Sequence, residues 1–137
     1  MVMRAVRLAG AVGLVAIALV LAPVDGVRAG DDQRTPALEV PKGTPARLHI
    51  VEGIKHYKEG HMDVASYQFR LAVQADPQSA EAHYDLALAL DGLGDHLAAA
   101  KSFARALELA PKNPAIADSA ILHSHLKKSQ SELIMQR

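Results

Sequence analysis

Residues 46–79 and 80–113 are one unit written twice, alignable without a gap at a period of 34 residues. Seven identities fall in register, among them His49/His83, Gly60/Gly94, Ala65/Ala99, Phe69/Phe103, Ala72/Ala106 and Pro77/Pro111. Conservative pairs lie between them, such as Gly53/Ala87, Ile54/Leu88 and Val73/Leu107. A period of this length predicts a helix–turn–helix unit that cannot bury its apolar face alone and must stack on a neighbour. Each repeated residue has a physical task in such a unit. Gly60 and Gly94 sit where the chain reverses and positive φ is needed. The small residues permit close approach of antiparallel helices, and Phe69 and Phe103 fill the space they leave. Pro77 and Pro111 lack a backbone donor and end the second helix of each unit.

The order of these residues resembles the tetratricopeptide repeat family, whose pattern runs aromatic, Leu-Gly, Tyr, then Ala, Phe, Ala and Pro. The resemblance implies an all-α fold: two stacked helix hairpins in a right-handed superhelix, closed by a capping helix. Departures concentrate in the first unit, where Glu52 stands at the Leu position and His56 at the Tyr position. His49 and His83 replace the first aromatic residue of each unit. The family's first helices line a concave groove, and the resemblance places Arg47, Ile50, Ile54, Tyr57, Tyr84, Asp85, Leu88 and Asp91 there. Tyr84 is expected to offer the groove an exposed hydroxyl. About half of the apolar members could equally be inter-helix core, since apolar residues at helical spacing pack by default. The family's clamp for acidic C-terminal peptides is not present, because its positions hold Ile50, Ile54, Asp85, Ala115 and Ser119. A non-enzymatic adaptor or scaffold that binds a partner protein or peptide is the implied function.

Ahead of the repeats, Arg4 and Arg7 precede an uncharged apolar run of 15 residues, Leu8 to Ala22, and then Val27-Arg28-Ala29. Basic, apolar and small-residue regions in that order predict a signal peptide over 1–29, cleaved after Ala29. The run is shorter than the about 20 residues that span a bilayer comfortably, and an uncleaved membrane anchor is the alternative. Export, to a bacterial periplasm, follows from this reading. Three arginines against Asp25 leave the leader at +2, so the rest of the neutral chain carries −2. Neither value suggests a basic footprint for nucleic acid. There is no cysteine, so stability must come from helix packing.

Residues 30–44, with Pro36 and Pro41, read as a flexible linker, and 45–137 as the repeat domain. Within it, repeat one covers 46–79, repeat two 80–113 and the capping helix 114–137. Thr44-Pro45 predicts the first helix start, Ser79 and Asp95 the caps of the third and fourth helices, and Asn113-Pro114 the start of a fifth running unbroken to about 134. Two repeats are fewer than the about three that stable arrays use, so self-association as a homodimer is a second reading. Seven histidines raise a third, metal binding. No metal residue is assigned, because the histidine spacings match neither a helical i, i+4 pair nor the zinc-protease motif. No cofactor is expected, and no Gly-rich phosphate loop, Gly-x-Ser-x-Gly elbow or nucleophilic cysteine marks an enzyme.

Overall fold

A computed structural model describes residues 34–136; the leader 1–29, the first residues of the expected linker and Arg137 lie outside them. Six helices and no strand are found among the described residues. They are α1 Arg47–Glu59, α2 Met62–Ala75, α3 Ala80–Gly92, α4 His96–Leu109, α5 Pro114–Ala117 and α6 Ala120–Met135. None is long and apolar enough to cross a membrane.

The last four helices, α3 to α6, begin where side chains can take up orphan backbone donors. Ser79, Asp95, Asn113 and Ser119 accept hydrogen bonds from the backbone N–H groups of Ala82, Ala98, Ala115 and Leu122. Helices α1 and α2 start without a side-chain cap. The expected cap of α1, Thr44, instead donates its hydroxyl to Pro41 O at 2.7 Å and closes a turn, so α1 starts after Ala46. Both hairpin reversals use glycine in the left-handed region, Gly60 at φ 84° and Gly94 at φ 80°.

Helix α1 pairs with α2, α3 with α4, α2 packs on α3, and α6 covers α4. Ala65, Phe69, Ala72, Ala99, Phe103 and Ala106 are fully buried, so the repeated small and large positions form the core of both hairpins. Gly53 shows how tight this is. A Cβ there would lie 2.5 Å from the Phe69 ring, whereas the equivalent Ala87 carries its methyl group in full burial.

The expected fifth helix is broken in two. Asp118 and Ser119 interrupt it, and Ser119 restarts the chain as the cap of α6. Ile116 and Leu122 are buried on either side of the break, which turns both toward the second hairpin.

The largest difference from expectation lies before α1. The described part of the expected linker is ordered on the repeats. Arg34 donates to Tyr57 O at 3.0 Å, and Arg47 donates to Val40 O at 2.7 Å. Six residue steps therefore cover the length that α1 covers in ten, so Arg34–Val40 is extended and runs antiparallel to α1. Val40 is buried, and Ala37 and Leu38 pack against the same core.

Candidate functional site

The extended segment occupies the face where the sequence puts a groove. Two of its carbonyls and one of its amides are held by side chains of the first helices of both hairpins. Tyr57 donates its hydroxyl to Thr35 O at 2.9 Å, and Leu38 N–H donates to Asp85 Oδ1 at 2.6 Å. With Arg47 on Val40, three of the eight expected groove residues grip backbone atoms of the segment. Backbone recognition of this kind accepts an extended chain with little regard to its side chains.

The other five expected residues divide differently. Ile50, Ile54 and Leu88 are buried in the core beneath the segment. Asp91 lies at the end of α3, with its Oδ1 2.8 Å from both His96 Nδ1 and His125 Nε2. Tyr84 does not present an exposed hydroxyl. It is 1 % exposed, its ring meets Phe103 edge-on at 5.4 Å, and its hydroxyl lies 2.8 Å from Ser119 Oγ. The reason is that α5 and the start of α6 fold over this end of α3 and bring Ser119 to it. Burial raises the Tyr84 phenol above its ordinary value, against the lowering effect of Ser119.

Asp85 is the most unusual group of the face. It is fully buried, and its Oδ2 has no hydrogen-bond partner among the described residues. Burial pushes its carboxyl well above the usual carboxylate range; the Leu38 N–H opposes this and the Glu81 charge adds to it. The folded chain therefore holds a proton that the unfolded chain has released above about pH 3.9. Stability attributable to this group is present at low pH and falls as pH rises from there through the raised folded value. Asp85→Asn is expected to remove this component. Urea melts from pH 4 upward should show the wild type losing stability against the variant as pH rises, and parallel curves would contradict the assignment.

Two elements of this site escaped the sequence reading, the segment itself and His96, and so did the bond between Ser119 and Tyr84. The segment had a signal. Leu38 and Val40 alternate with polar Glu39 between Pro36 and Pro41, a strand-like period inside a stretch otherwise read by its prolines.

Residues 80–113 match the family model of the tetratricopeptide repeat. The match supports the tetratricopeptide repeat family. No curated protein and no solved structure matches the chain. The matched residues are α3, α4 and the turn that follows them, which is the better-formed of the two units in the sequence. Tetratricopeptide repeats mediate contacts between proteins, through the concave surface that stacked hairpins create. In this chain Asp85, on the first helix of the matched unit, bonds the extended segment.

Proposed function

We propose that this protein is a non-enzymatic protein-interaction module whose groove takes an extended peptide of a partner protein. Its own residues 34–40 hold the place in the resting chain. The observation that carries this reading is the Asp85 carboxyl group, fully buried and bonded to a backbone N–H of an extended segment. A buried carboxyl oxygen costs free energy unless it is hydrogen-bonded, and any extended chain with an amide at that point supplies the bond. Tyr57 and Arg47 add contacts to carbonyls on either side.

The test uses a fluorescent peptide of sequence 34–40 and the full chain. Leu38→Pro deletes the donor to Asp85 in the tethered segment and should open the groove. The peptide is expected to bind the Leu38→Pro chain saturably and the wild type far more weakly. Adding Asp85→Ala should weaken it about tenfold, the effect of losing a hydrogen bond to a buried group. Absence of binding to Leu38→Pro, or indifference to Asp85→Ala, would sink the reading.

The basic, apolar and small-residue order of 1–29 supports an exported adaptor, acting in the periplasm if the source is bacterial. Protein recovered from the exported fraction should then begin at Gly30, four positions before Arg34. Intact Met1 on that material would favour a membrane anchor. Self-association is the second reading, favoured by the exposed Leu133, Ile134 and Met135 at the end of α6. Light scattering that stays monomeric as concentration rises would dismiss it.

A further inference from the structure

Two histidines and one carboxylate meet at the corner where α3, α4 and α6 come together. Asp91 lies in the last turn of α3, His96 opens α4, and His125 projects from α6. His96 Nδ1 and His125 Nε2 are each 2.8 Å from the same oxygen, Asp91 Oδ1, and the three donor atoms lie within 4.8 Å of one another. We propose that Asp91, His96 and His125 form a binding site for one divalent transition-metal ion.

The donor set suits the borderline metals. Two neutral imidazoles and one carboxylate fit Zn²⁺, Cu²⁺, Ni²⁺ or Fe²⁺, and leave coordination positions open. Tetrahedral zinc with bonds of about 2.0–2.2 Å keeps its ligand atoms about 3.3 Å apart. The two nitrogens therefore need to retreat by about half an ångström from Asp91 Oδ1 to admit the ion. His96 can do this, because its side chain is half exposed and sits at a helix start. His125 is the fixed member. Only 10 % of its side chain is exposed, and its ring lies 5.4 Å from Phe103, tilted by 35°. Each imidazole now turns an N–H toward Asp91 and would carry that proton on its other nitrogen once the metal is bound.

A second trio, His56, Glu59 and His61, has similar chemistry but another origin. Its members lie within one helix end and the following turn, and Glu59 and His61 are exposed. The nitrogens stand 3.5 and 3.3 Å from Glu59 Oε2. All three belong to the first hairpin. The Asp91 trio instead draws its ligands from three helices already locked by packing, so less freedom is lost on binding. An ion there would tie α6 to the second hairpin and stabilise the folded state, because the unfolded chain scatters the donors.

Calorimetric titration of Zn²⁺ into the full chain, with thermal melts, tests the site. The expected result is saturable binding and a higher melting temperature, reversed by a chelator. His96→Gln, at a half-exposed position that leaves the core intact, should weaken this binding by about tenfold or more. His125→Gln should do the same while its circular dichroism remains helical. His56→Gln with His61→Gln should leave the melting shift in place. Absence of Zn²⁺ binding, affinity unchanged by His96→Gln, or a melting shift lost only in the His56/His61 variant would each overturn the proposal.

Discussion

Phe103→Ala is expected to cost about 3–5 kcal/mol of folding stability, read from urea melts of the variant against the wild type. The side chain is fully buried between three helices of the second hairpin and its cover. Its ring meets Tyr84 of α3 edge-on and lies beside His125 of α6, each at 5.4 Å between centroids. Ala99 and Ala106, one turn away on either side, are too small to reach into the space left behind. A cavity would remain where three helices now touch. Small domains have about 5–15 kcal/mol in total, so a large part of the margin goes with one ring. A change below about 1 kcal/mol would show that the site collapses around the gap, against the packing described.

Tyr84→Ala should be nearly as severe, at about 3–5 kcal/mol. The reading of Tyr84 as a solvent-facing anchor predicts little loss of folding energy, and the structure overturns that expectation. Truncation removes the other half of the ring pair with Phe103 and the hydrogen-bond partner of Ser119. Ser119 would keep only its weaker cap bond to Leu122 N, 3.4 Å long. Tyr84→Phe separates the two contributions: it keeps the ring and should cost only about 0.5–1.5 kcal/mol for the hydroxyl. Equal losses in the two variants would mean the hydroxyl alone carries the effect.

These two residues also show how far a sequence can be read. Phe103 recurs at Phe69 with small residues at fixed offsets, so its burial follows from the repeat. Tyr84 has Ile50 as its equivalent, and both are buried, but by different neighbours. Ile50 lies in the core beneath the extended segment. Tyr84 is covered because the break at Asp118-Ser119, between α5 and α6, brings Ser119 to its hydroxyl. Serine there is a cap signal, yet the apolar spacing on both sides reads as one continuous helix.

Local order, then, was written in the sequence itself. Helical period, glycine at the reversals, and the Ser79, Asp95 and Asn113 caps all act within a few residues, and each operates through its own backbone. Tertiary structure alone decided which groups would meet across the chain. Leu38 lies 47 positions from Asp85, and Tyr84 lies 35 positions from Ser119. His125 reaches Asp91 from the last helix. No periodicity encodes such pairs, because they depend on which face each helix buries and on what covers it. The repeat also promised an open groove, and local pattern could not show that an extended, proline-bracketed segment fills it. That outcome is set by the competition between water and Asp85 for the amide of Leu38, which is settled only once the helices have placed the carboxylate out of water's reach.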